Sequence, residues 1–290
     1  MELLASRNSW WMTQCEAVLL AEGITPRWTT PADRAVAGTF VLDVPTSDGA
    51  RAVELLSEQL GDELEKNSRS VPAGGWVPLF LQPDFAFGLC LSLLLLAFYV
   101  VSGGVAHNGD LFRRGAMVVE AFAQGQWWRA ITAATLHADM QHALSNAGFL
   151  LLLAWAASER FGPGITLFLW LATAVAGFVA SFWFSDATLT IGASGGLFGL
   201  LGAAGGHGLR TRRPTLLAWR ERLRVGGAAV LLLAFTAFSP EANIPAHLGG
   251  FVAGMLLGLA LPAERRPTAL WQLLGGGIAT VLVIVAWMRA

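Results

Sequence analysis

Gly192-Ala193-Ser194-Gly195-Gly196-Leu197-Phe198-Gly199 opens an apolar run reaching Gly208, and Ala246-His247-Leu248-Gly249-Gly250-Phe251-Val252-Ala253-Gly254 opens another that ends at Leu261. Both read as apolar helices with small residues gathered on one side. In the first, Gly195, Gly199 and Gly202 form a face that lets another helix backbone approach closely. In the second, at 100° per residue, His247, Gly250, Gly254 and Gly258 fall within about 60° of one another. If the two glycine faces pack together, Ser194 and His247 stand near the same ends of adjacent helices. A Ser–His hydrogen bond is then within reach, with the imidazole as base for the hydroxyl.

Working outward, five more apolar stretches occupy about 85–106, 140–157, 163–184, 225–239 and 268–288. A helix of ~20 residues spans a hydrocarbon core ~30 Å thick. Of the seven, the first, third and seventh meet that length, whereas the fourth to sixth, nearer 15 residues, suit helices shielded inside a bundle. Only 13% of the 290 residues are charged and 54% are hydrophobic, against about 25% charged in soluble proteins. The charges are also unevenly placed: 12 acidic and 6 basic side chains lie in residues 1–84, and 8 acidic and 13 basic in 85–290. The pattern predicts an all-α polytopic membrane helical bundle, residues 85–290, behind a small α/β soluble domain, residues 1–75, with a linker at 76–84.

In the head, Cys15 to Glu22 reads as helix, Ala37 to Val44 as a strand around Phe40 and Leu42, and Ser47 to Leu60 as a helix burying Ala50, Val53, Leu56 and Leu60. Ser47 or Asp48 is placed to cap that helix, and the whole suggests a βαβ-type unit with a small core. Cys15 and Cys90 lie in unlike surroundings, which argues against a disulfide. Met1-Glu2-Leu3-Leu4 lacks a signal-peptide layout.

With the head inside, the inner loops hold nine arginines (Arg160, six from Arg210 to Arg224, Arg265 and Arg266) and the outer segments four (Arg113, Arg114, Arg129 and Arg289). The positive-inside bias therefore puts the head in the cytoplasm and the C-terminus outside. It also accounts for the cluster at 210–224 without nucleic acid, since no basic stripe with interleaved aromatics exists. The long outer loop, 107–139, is too polar to span yet rich in Leu111, Phe112, Phe122, Trp127 and Trp128, and is expected in the interface.

Polar groups inside a bundle need partners and are functional candidates. Ser194 falls at a helix start, where free N–H groups and the helix dipole favour developing negative charge; a lone serine there also satisfies itself on the preceding turn. His247 equally suits a structural histidine bonded to a carbonyl. His142 and Asn146, four apart on one face, can both donate N–H groups to an oxyanion. A metal site is disfavoured because no His-Glu-x-x-His and no thiol or carboxylate cluster accompanies these histidines. Asp139, Asp186 and Glu241 all fall at loops, so a Ser–His dyad is favoured over a triad.

Taken together, Trp128-Arg129, His142-x-x-x-Asn146, Gly192-x-Ser194-Gly195-x-x-x-Gly199 and Ala246-His247-x-x-Gly250-x-x-x-Gly254 resemble the rhomboid family of intramembrane serine proteases over about residues 85–261. The resemblance implies Ser194 as nucleophile and His247 as base, with His142, Asn146 and the Ser194 N–H as oxyanion hole. It makes Phe198 the ring on which the imidazole stacks and Gly192, Gly250 and Arg129 supporting residues. It implies a six-helix core with a seventh, C-terminal helix, no cofactor, and transmembrane proteins as substrates in a cell (inner) membrane, with the site open to the outer side. Gly226-Gly227 and Ser239-Pro240 mark where the fifth span would shift to admit substrate, though plain packing explains those glycines as well. The competing readings are a catalytically silent relative that binds membrane clients, and a transporter, which the missing inverted repeat weakens.

Overall fold

The computed structural model describes residues 2–6, 9–29, 40–68, 82–210, 227, 242–262 and 267–290. The expected fifth span at 225–239, apart from Gly227, lies outside them, as do Ser239-Pro240, Glu241, the arginines from Arg212 to Arg224, Arg265-Arg266 and residues 76–81 of the linker. The chain divides into two compact units, a head and a helical bundle.

The head contains β1 (Glu2–Ser6), α1 (Ser9–Ala21), β2 (Arg27–Thr29), β3 (Phe40–Asp43) and α2 (Gly49–Ser68). β1 and β2 each pair antiparallel with β3, giving the order β1-β3-β2. The single strand expected around Phe40 and Leu42 is β3; β1 and β2, which were not expected, flank it and run parallel to each other. Met12, Cys15 and Leu19 of α1 bury against Leu42 of β3 and against Ala52, Leu56 and Leu60 of α2. The buried stripe of α2 differs from the expected one, since Val53 is 52% exposed and Ala50 is exposed. Ala52 and Leu60 lie about 40° to either side of Leu56, whereas Ala50 lies about 120° away. Ser47 and Asp48 sit in a short 3₁₀ turn, Thr46–Asp48, that leads into the helix. Both cysteines are free, Cys15 buried and Cys90 exposed.

The bundle is built from α3 (Pro83–Ser102), α7 (Met140–Phe161), α8 (Pro163–Phe184), α9 (Ser194–Arg210), α10 (Ile244–Ala260) and α11 (Ala269–Arg289). α3, α8 and α11 are long and apolar enough to cross a membrane. The boundaries follow local chemistry. Pro83 and Pro163 start α3 and α8 in the first turn, where their missing N–H is no loss. Asp139 caps α7 by accepting the His142 N–H at 2.8 Å. α3 and α7 also reach beyond the expected spans, drawing in Asp84, which accepts a 2.6 Å hydrogen bond from the Ser158 hydroxyl, and Arg160.

Between α3 and α7 the long loop holds α4 (Asp110–Gly115), β4 (Met117–Val118), α5 (Val119–Ala123) and α6 (Arg129–Thr132). β4 pairs antiparallel with β5 (Leu189–Thr190), which joins the loop to the segment leading into α9.

α9 is the bundle's axis, with Gly195 to Ala203 buried without interruption. On one side α10 presents Gly250, Gly254 and Gly258, where an added Cβ would run into the carbonyls of Gly195, Gly199 and Ala203. On the other, Trp170 and Thr173 of α8 crowd Gly196 and Gly199 in the same way. Close backbone contact of this kind supplies the packing that apolar burial does not provide between helices in lipid. Of the two short helices described, α9 is shielded, and α10 buries its glycine stripe while Leu248 and Leu256 are each 60% exposed.

Candidate active site

Ser194 is the first residue of α9, and the first helical hydrogen bond is Leu197 N–H to the Ala193 carbonyl. The N–H groups of Ser194, Gly195 and Gly196 therefore precede the helical ladder, as at any helix start. The chain enters through β5 and then Gly192, whose N–H donates to the Ala133 carbonyl at 3.0 Å. Gly192 has φ +118°, a conformation open to glycine, and a Cβ there would stand 2.9 Å from His142 Cε1 and Nε2. The same point is 4.0 Å from Ser194 Oγ, so the His142 ring and the Ser194 hydroxyl flank one face of Gly192.

His247 lies in the first turn of α10, its N–H held by the Asn243 carbonyl at 3.1 Å. Its Nε2 is 2.8 Å from Ser194 Oγ, a hydrogen-bond distance across 53 residues of chain. Phe198, one turn after Ser194, stacks on the imidazole with centroids 4.6 Å apart and planes 24° from parallel. The close helix contact makes this meeting possible, because Gly250 follows His247 by one turn and rests on the Gly195 carbonyl.

His142 Nδ1 accepts the Ala138 N–H at 3.4 Å. In the neutral ring this leaves the proton on Nε2, the atom facing Gly192. Beside it, His137 meets the His142 ring edge to face at 5.1 Å and is fully buried. Burial, reinforced by the neighbouring His142, pushes its pKa down to about 3. Asn146 has one of its two N–H groups engaged. It is buried, and its Nδ2 donates at 2.9 Å to the His142 carbonyl of its own helix.

Arg129 braces the long loop. It donates from Nε to Gln126 Oε1 at 2.6 Å, and from one terminal nitrogen to the carbonyls of Arg113 and Ala116 at 2.9 and 2.6 Å. Two features were not anticipated from sequence: the β4–β5 pairing, and a polar cluster of Asn243, Ser181 and Thr190 one turn before His247. Asn243 followed by Pro245 is a helix-start signal, so the cap was readable. Its reach to two other elements was not.

A rhomboid domain profile matches residues 124–264. The chain is 31% identical over 182 residues to rhomboid protease GluP of Bacillus subtilis, covering 62% of this chain and 35% of that one. It is 29% identical over 151 residues to rhomboid-like protease 3 of Toxoplasma gondii, covering 49% of this chain and 55% of the relative. To rhomboid-like protease 1 of the same organism it is 28% identical over 231 residues, with coverages of 71% and 78%. The chain thus spans about a third of the first of these relatives and just over half of the second. The matched part, residues 124–264, is the helical core that carries Ser194 and His247, and that core is of the rhomboid family.

Proposed function

We propose that the chain is an intramembrane serine endopeptidase that cleaves transmembrane proteins through a Ser194–His247 dyad. The observation that carries the reading is the 2.8 Å contact between Ser194 Oγ and His247 Nε2 under the Phe198 ring. A substrate helix hides its carbonyls in its own hydrogen bonds, so it must unwind locally near its outer end before attack. Ser194 Oγ then adds to the scissile carbonyl while His247 Nε2 takes its proton. The oxyanion receives the Ser194 N–H and His142 Nε2–H; Asn146, with one N–H engaged on the His142 carbonyl, brings its second. His247 returns the proton to the leaving amine, and water, activated by the same imidazole, releases the acyl group from Ser194. Among the described residues no carboxylate is bonded to the imidazole; stacking on Phe198 and the close packing of α9 and α10 hold the ring in part.

By its resemblance to the family the protein sits in a cell (inner) membrane with the site opening outward, and the arginine distribution supports a head in the cytoplasm and a C-terminus outside. The test is cleavage of a membrane-embedded reporter in proteoliposomes. Ser194→Ala and His247→Ala, each still folded, lose at least about three orders of magnitude in turnover. Wild-type turnover in Ser194→Ala removes the proposal.

A further inference from the structure

One buried polar cluster beside the dyad takes no part in the steps above. Asn243 caps α10: its Oδ1 accepts the Ala246 N–H at 3.1 Å. Because an amide N–H only donates, this fixes which end of the carboxamide is oxygen and turns Nδ2 toward two hydroxyls. Nδ2 donates to Ser181 Oγ at 2.6 Å and to Thr190 Oγ1 at 3.1 Å, and those two oxygens are 2.9 Å apart. Ser181 and Thr190 are 1% and 7% exposed and Asn243 is half-buried, so the two hydroxyls find their partners in this cluster and not in solvent.

The location of each corner gives the cluster its meaning. Thr190 ends β5, four residues before Ser194, and Asn243 stands four residues before His247. Ser181 is near the end of α8, one turn after Gly177, whose Cβ position is 3.6 Å from Gly195 Cα and against the Ala246 carbonyl. One carboxamide therefore ties the strand that delivers the nucleophile to the helix that delivers the base, through α8 as a common support. A helix cap alone requires only the Oδ1 contact; the two donated bonds do something else.

We infer that Asn243, Ser181 and Thr190 form the positioning unit of the base, setting the distance between Ser194 and His247 as a carboxylate would in a triad. The inference rests on the dyad reading. It separates two roles of Asn243, capping through Oδ1 and clamping through Nδ2, and the hydroxyl partners allow the clamp to be removed with the cap intact.

The experiment compares wild type, Ser181→Ala, Thr190→Val, the double variant and Thr190→Ser by reporter cleavage in proteoliposomes and by fluorophosphonate labelling of Ser194, with folded protein quantified by thermal unfolding. The double variant loses roughly tenfold in kcat with KM within about twofold, because misplacement acts on chemistry more than on substrate binding. Labelling slows in step, and Thr190→Ser, which keeps the hydroxyl, stays within about twofold of wild type. Should the double variant not fold, Ser181→Ala alone carries the test, with a loss of about threefold in kcat. A folded variant with wild-type kcat, or a loss that falls on KM, overturns the positioning role. Wild type that neither cleaves nor labels refutes the dyad reading itself.

Discussion

Gly254 lies seven residues beyond His247 on α10, about 10 Å along the helix, and touches neither reacting side chain. A Cβ added there would stand 2.7 Å from the Gly199 carbonyl carbon and 2.9 Å from Gly199 Cα. Carbon atoms in ordinary contact stand about 3.5–4.0 Å apart, and a backbone cannot rotate away as a side chain can. In Gly254→Ala the α9 and α10 axes must therefore part by about 1 Å at this level. The Ser194–His247 contact starts at 2.8 Å, so the same shift carries it beyond hydrogen-bond range. A displacement of this size costs roughly 100-fold in turnover. Overpacking costs about 1–3 kcal/mol of stability, offset by up to about 1 kcal/mol of helix propensity. Gly205→Ala is the control, since Gly205 on α9 is exposed and its Cβ position has nothing within 4 Å. It keeps activity and gains up to about 1 kcal/mol. Reporter cleavage in proteoliposomes and thermal unfolding in micelles measure both effects. If Gly254→Ala cleaves and unfolds like Gly205→Ala, helix contact does not set the dyad geometry and the reasoning fails.

Phe198→Leu keeps an apolar side chain but loses the stacked ring 4.6 Å from the imidazole; with such pairs worth about 0.5–1.5 kcal/mol, turnover drops roughly two- to tenfold, and an unchanged rate would show that the ring is packing only. Arg129→Lys cannot reproduce the fan of bonds to Gln126, Arg113 and Ala116, so thermal unfolding shows a loss of about 1–3 kcal/mol and chymotrypsin cuts the 107–139 loop faster; equal stability with lysine refutes the bracing role. His137 gives a pH dependence. Its folded pKa, about 3, lies below the ordinary 6.5, so below pH 6.5 the unfolded chain takes up a proton that the folded chain refuses. Its contribution is fully present above 6.5 and falls toward pH 3, by at most about 1.4 kcal/mol per pH unit. Acid unfolding curves of wild type and His137→Gln differ in that window, and superimposable curves contradict it.

The helical bundle was legible because glycine and apolar spacing impose it: Gly250, Gly254 and Gly258 face Gly195, Gly199 and Ala203, as the 100° geometry requires. The same spacing puts Ser194 and His247 at one end of adjacent helices, where their side chains stand 2.8 Å apart; the place of Phe198 beside the imidazole was implied by the family resemblance and not by spacing. What escaped the sequence depends on contacts rather than periodicity. The two-residue strands β4 and β5 are too short to alternate, and β2 spans three residues. The rotated face of α2 turned on where that helix begins. Asn146 shares a helix face with His142, but spacing does not tell that one of its two N–H groups is spent on the His142 carbonyl. The link from Asn243 to Ser181 and Thr190 joins positions 62 and 53 residues apart, with no local pattern to announce it.

The claim that a serine and a histidine from two distant segments form one reactive unit is tested most directly by mass spectrometry of the membrane-reconstituted protein after reaction with a fluorophosphonate. The account predicts one adduct, on Ser194, in wild type, no adduct in Ser194→Ala, and labelling at Ser194 slowed at least about 100-fold in His247→Ala. An unlabelled wild type, an adduct on another residue, or undiminished labelling of Ser194 without the imidazole would contradict it.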